Sequence, residues 1–173
     1  MKLILTLIFS FSVSVAFAED MSHFASSTTS FAEDFTKKYP RELENVLKEG
    51  QKQTKSHEKT IERLQSKIID AGVWTKSEAS LYLLSLVNLP EVKEYEEKRN
   101  ILSAEFKKNN MAISVLDIVT NNNQEKINKG TCIFGTSALS SANEANKVND
   151  ESWIYLEGKI SEFGASKNIK MTE

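Results

Sequence analysis

The chain has 173 residues, with 22 Lys and Arg against 24 Asp and Glu and a formal net charge of −2. That is one domain's worth of chain, and the balance argues against a dedicated nucleic-acid binder, which carries a basic excess. One cysteine excludes a disulfide scaffold, and two histidines exclude a three-histidine zinc site.

Residues 1–18 have the pattern of a cleaved signal peptide. Lys2 gives a short positive start, Leu3 to Val15 is mostly apolar, and Ala16-Phe17-Ala18 fits small-x-small cleavage. The apolar run is short for a membrane span, and no later segment approaches the needed length. The chain is therefore expected to be exported, periplasmic or extracellular, with no transmembrane segment after processing. Thirteen asparagines without one Asn-x-Ser/Thr sequon point to a bacterial source.

Residues 19–30 are small and polar and are expected to form a flexible lead-in, leaving 31–173 as a single helical domain. Phe31 and Phe35 start a short helix expected to stop at Tyr39-Pro40. Leu43, Leu47, Gly50, Thr54, His57, Ile61, Leu64 and Ile68 then recur at alternating spacings of four and three, one stripe of a long helix. It ends at Ala71-Gly72, where glycine suits the left-handed cap. The stripe is thin between Gly50 and His57.

Thr75-Lys76-Ser77-Glu78 reads as a capping box for a helix over 76–88 that is apolar nearly all round, hence expected to be central and buried. Pro90 suits the first turn of the next helix, which carries Val92, Tyr95, Arg99, Leu102 and Phe106 on one face. Met111 to Val119, with its β-branched Ile113, Val115, Ile118 and Val119, reads as a buried helix or a strand, helix being favoured because no comparable strand partner exists, and Asn121-Asn122-Asn123 breaks it. Gly130 to Gly135 is expected to be a loop or short extended piece. Thr136 to Val148 forms a small-residue helix, and Asp150 caps a last helix carrying Trp153, Leu156, Ile160 and Phe163 and ending at Gly164. The result is an all-α bundle of five to seven helices.

Catalytic and metal patterns fail one by one. His57-Glu58 opens like a zinc-protease helix, but position 61 is Ile rather than the second histidine. Cys132 is followed by Ile133 and Phe134, so covalent haem attachment is closed, and no cofactor is expected. The nearest approach to a nucleophile elbow, Gly135-Thr136-Ser137, lacks its second glycine. Glu62, Glu78, Asp117 and Glu125 are available acids without a pairing pattern. Cys132 lies in an apolar run and is either buried and inert or open to an intermolecular bond.

Two surface features remain. Lys48, Lys52, Lys55, Lys59, Arg63 and Lys67 form a basic stripe on the long helix, expected to face solvent and suited to an acidic partner. Arg99 is the one charge within its stripe, expected to lay its stem across the core edge and pair with a carboxylate. Together these features predict a non-enzymatic module that binds another protein, such as an immunity-type inhibitor or an envelope or secretion accessory. Two alternatives stay open. One is an envelope-polymer enzyme using carboxylates, and the other a small-ligand carrier with a pocket beside Gly50–His57.

Overall fold

The computed structural model describes residues 25–171, so the expected signal peptide and residues 19–24, His23 included, lie outside the described residues. Five helices and no strand occur among the described residues: α1 (Ala25–Asp70), α2 (Lys76–Val87), α3 (Pro90–Ser114), α4 (Leu116–Val119) and α5 (Gln124–Ser166). The fold is all-α.

Local signals set most of the boundaries. Gly72 takes φ of 72° after α1, and the Val73 amide reaches back to the Ile68 carbonyl, closing the helix with a left-handed cap. Thr75 and Glu78 form the expected capping box at α2. Pro90 sits in the first turn of α3, where its missing N–H leaves no hydrogen bond broken. Asn121 and Asn122 adopt φ of 53° and 57°, a left-handed turn that asparagine tolerates better than most residues. Asn123 then caps α5 by accepting from the Lys126 amide.

Long-range packing overrides local signals elsewhere. The chain is helical from Ala25, within the lead-in expected over 19–30, because Ala32 is buried and Thr36 meets the Asn128 backbone of α5. The helix also continues through Pro40. Tyr39 is buried, stacks on Phe35 and donates its hydroxyl to Asn110 of α3 at 2.8 Å, which holds the helical geometry that Pro40 disfavours. Gly130 to Gly135 is helix rather than loop, because each glycine admits a neighbour where a Cβ would overlap it: Leu116 at Gly130, and Phe35 with Tyr39 at Gly135. Asp150 lies inside α5 and not at its start; its carboxylate bonds a side chain of α1 instead.

Paired contacts give the topology. Thr36 meets Asn128, Val46 meets Asn146 and His57 meets Glu157, so α1 and α5 run parallel. Asn110 meets Tyr39, Glu105 meets Ser141 and Arg99 meets Asn149, so α3 runs antiparallel to both. Helices α1 and α3 each pack along α5, while their own backbones stay apart.

The apolar core occupies one end of this bundle. Ile61, Leu64 and Ile68 of α1 meet Leu86, Val92, Leu156 and Ile160, with Met171 of the C-terminal segment closing over them. Trp74, Tyr82 and Phe163 form an aromatic cluster beside it, with ring centroids 4.5 to 5.0 Å apart. Helix α2 is a flank of this core and not its centre: Leu81 and Leu84 are 62% and 57% exposed. Replacing Leu64 by Ala is therefore expected to cost about 3 kcal/mol, and Leu81 by Ala less than about 0.5 kcal/mol. Urea unfolding of the two variants checks both, and a large effect at Leu81 would contradict the peripheral position of α2.

Candidate functional site

The thin Gly50–His57 stretch marks the place where the bundle changes character. Below it, toward the α1 N-terminus, α5 presents Asn128, Thr131, Gly135, Ala138, Ser141 and Ala142, which are small or polar and buried. Small side chains hold less space between helices than leucines do, so α1 and α3 cannot both close on α5 and on each other. A groove of about 620 Å³ opens between them. Leu47 and Gly50 line it from α1, Phe106 from α3, and Ala142 and Ala145 from the α5 floor. Its charged lining is Lys55, Arg99 and Lys107 against one carboxylate, Glu58.

Polar bridges bound the groove at both ends. At one end the Tyr39 hydroxyl reaches Asn110. At the other, Asn149 donates to the Thr54 hydroxyl at 3.1 Å and accepts from Arg99 at 3.2 Å, linking all three long helices. Arg99 thus pairs with an amide oxygen and not with the carboxylate expected for it. Between the two bridges, Asn146 donates to the Val46 carbonyl at 2.9 Å, directly over Gly50. A Cβ at Gly50 would overlap the Asn146 side chain. This close approach explains a glycine in mid-helix, where it costs about 1 kcal/mol relative to alanine.

Just beyond the groove, His57 is clamped by two carboxylates. Its Nε2 lies 2.7 Å from Asp150 and its Nδ1 2.8 Å from Glu157, with the Trp153 ring parallel and its centroid 6.2 Å away. Both acceptors are carboxylates, so both ring nitrogens donate, which only the imidazolium can do. Burial opposes the charged ring, but the hydrogen bonds to Asp150 and Glu157 and their negative charge outweigh it, and the His57 pKa lies above its ordinary value. With both nitrogens engaged, His57 has none left to take a proton from a substrate. It is a tie between α1 and α5.

The basic stripe is only partly a solvent face. Lys48, Lys52, Lys55 and Lys59 line a shallow depression on the outside of α1. Lys48 pairs with Glu44, whereas Lys55 and Lys59 have no ion pair among the described residues. Arg63 is exposed, but Lys67 is half-buried and donates to the Met171 carbonyl at 3.1 Å, tying down the C-terminal segment. Lys55 belongs to both the depression and the groove, so the stripe continues into it.

The four available acids do not assemble. Glu78 is engaged in the α2 capping box and Glu125 pairs with Lys129 at the far end of the bundle, while Glu62 and Asp117 are exposed on α1 and α4. Cys132 is half-buried on α5. Among the described residues, no group of three or more His, Cys, Asp or Glu converges in a way that could hold a metal, and no helix is long and apolar enough to cross a membrane. Sequence reasoning does not find the groove's asparagines, Asn146 and Asn149, or the two carboxylates on His57. Their only sequence signal was the thinness of the opposing α1 stripe. No protein family, no curated protein and no solved structure matches this chain.

The His57 clamp makes a pH-dependent contribution of definite sign. Its folded pKa is raised above the unfolded value of about 6.5. The stabilisation is therefore complete below about pH 6.5 and is lost as pH rises through the folded pKa. His57→Gln is expected to cost about 2 kcal/mol near pH 6 and less near pH 9. Urea unfolding at the two pH values measures the difference; equal costs would mean that folding leaves the His57 pKa unshifted.

Proposed function

We propose that this protein is an exported, non-enzymatic binding module that takes an acidic helical segment of another protein into the groove between α1 and α3. The observation that carries the proposal is the groove itself: an apolar floor held open between two helices, with cations on both rims. An amphipathic helix laid in such a groove buries its apolar face against Leu47, Phe106 and Ala142. Acidic residues flanking that face would meet Lys55 on one side and Arg99 and Lys107 on the other. Lys59, on the outer depression, extends the positive field and favours encounter more than final affinity, while Lys52 beside it is paired with Glu49 at 3.8 Å.

The enzyme alternative has less support. Hydrolysis by paired carboxylates needs two acids across one cleft, and the groove lining contributes Glu58 alone. Small-ligand carriage draws on one specific observation: the groove volume falls in the range of small-molecule sites, beside the Gly50–His57 stretch. That reading predicts a preference for an amphipathic anion over a helix.

A synthetic, fluorescein-labelled amphipathic helix with leucines along one face and glutamates on both flanks discriminates among these. Its anisotropy is expected to rise with added protein at low salt and to rise less at moderate salt. Lys55→Glu with Lys107→Glu, both exposed, should weaken binding about tenfold, equivalent to roughly 1.4 kcal/mol, without shifting thermal stability. No binding, or binding indifferent to the double reversal, sinks the helix-in-groove proposal. Tight binding of a medium-chain carboxylate in the peptide's place would transfer the groove to ligand carriage.

A further inference from the structure

The end of the bundle opposite the apolar core carries a second apolar surface, which shares only Lys107 with the groove rim. Helix α3 ends at Ser114, α4 follows at once, and the asparagine turn leads into α5. Over this short turn Met111 is 70% exposed, Ile118 72% and Val119 66%, with Val115 also exposed. These side chains are held outward by a fixed scaffold: Leu116, in their midst, is buried against Gly130, where a Cβ would overlap it. The turn has its own hydrogen bonds, from Asn121 to Ile118 and from Asn122 to Asp117. Four large apolar side chains displayed on one rigid turn are a surface with a cost in water, and so one that a partner would cover.

The charge around the tip identifies the kind of partner. Lys107, Lys108 and Lys126 are exposed and form no ion pair among the described residues, whereas Lys129 is neutralised by Glu125 at 2.7 Å. Asp117 is the carboxylate on α4 itself. The balance at the tip is positive. Lys107 and Lys108 lie about 10 Å behind the end of α3, taking roughly 1.5 Å per residue. That offset matches the 5–10 Å to which interfacial apolar side chains enter the boundary between headgroups and acyl chains. The cations would then stand at the level of anionic headgroups, whose negative surface potential attracts them.

A protein partner fits this tip less well. The turn is an end-cap with four exposed apolar side chains, where a stable protein interface draws on roughly 20–30 residues a side. A bilayer needs no matching concavity. We infer that the 111–119 turn is a membrane-contact tip that inserts Met111, Ile118 and Val119 into an anionic lipid surface while Lys107, Lys108 and Lys126 engage its headgroups. The inference does not depend on the groove binding a helix.

The test uses the full chain with vesicles of phosphatidylcholine alone and of phosphatidylcholine with phosphatidylglycerol. Cosedimentation is expected with the anionic vesicles and to fall as salt rises. Hydrogen exchange in 111–123 should slow when those vesicles are present. Ile118→Asp with Val119→Asp, both at exposed positions, should reduce bound protein at least tenfold at equal lipid, and Lys108→Glu with Lys126→Glu severalfold. Lys55→Glu, which changes the groove and the outer depression but not the tip, should leave sedimentation unchanged, which separates this result from any failure of peptide binding. Sedimentation without protection of 111–123, sedimentation equal in the tip variants, or no sedimentation at all would overturn the inference.

Discussion

The structure depends on one constraint: α5 must serve as the packing surface for two helices whose own backbones stay apart. Its upper half meets that demand with Leu156 and Ile160, which interdigitate with Ile61, Leu64 and Val92 in a core of ordinary kind. Its lower half meets it with small and polar side chains, Ala138, Ser141 and Ala142 among them. Dispersion and apolar burial scale with the atoms brought together, so the lower half holds its neighbours less by packing than by directed bonds. Asn146 to Val46, Asn149 to Thr54 and Arg99, and Tyr39 to Asn110 supply those bonds. Directed bonds fix a spacing where apolar contacts would only favour closure. The groove is the consequence.

His57 stands at the boundary between the two regimes and explains how they meet. An imidazolium between two carboxylates would be costly to form in the apolar core, yet wasteful on an open surface where water screens it. At the junction it is partly buried, its ring beside Trp153 and its two N–H groups satisfied by Asp150 and Glu157. The ion triad ties α1 to α5 at one level of the bundle and so sets the register for the contacts on either side. Removing the histidine would leave two carboxylates facing each other, which is why its replacement costs more than the loss of one hydrogen bond.

What was legible in the sequence divides along the same line. Signals that act within one turn of helix came through: the Thr75–Glu78 box, Gly72 at its left-handed cap, Pro90 in a first turn, and the asparagine break. The buried half of the α1 stripe, Ile61 to Ile68, also came through, because its period of 3.6 records a single partner face. Local reading makes Pro40 a helix end, Gly130–Gly135 a loop and Asp150 a helix start, and all three lie inside helices. In all three a contact from roughly 70 to 100 residues away decides the conformation, and no local propensity of about 1 kcal/mol can reveal that. Helix α2 was misplaced for another reason. An apolar composition all round implies burial only if enough other chain exists to cover it, and a hairpin at the end of a three-helix bundle is covered on one side. The groove was anticipated only as a weakness in the stripe; its rims needed α3 and α5 brought together.

The polar bridges bear on how well such a groove could bind. A cleft that must be opened first, by prising apart packed leucines, charges that opening against any ligand. Here α1 and α3 are already held apart, by Tyr39–Asn110 at one end and by Asn149 at the other, and Gly50 lets Asn146 pin the floor between them. A ligand of the proposed kind would meet a formed site, and the free energy of burying its apolar face would not be spent on rearranging the receptor. The same bonds limit the site's adaptability, since widening it breaks hydrogen bonds and narrowing it drives Asn146 into α1. A rigid width with flexible lysines on its rims selects for the diameter of the occupant strictly and for the exact placement of its charges loosely. That combination suits a single amphipathic helix better than a globular surface.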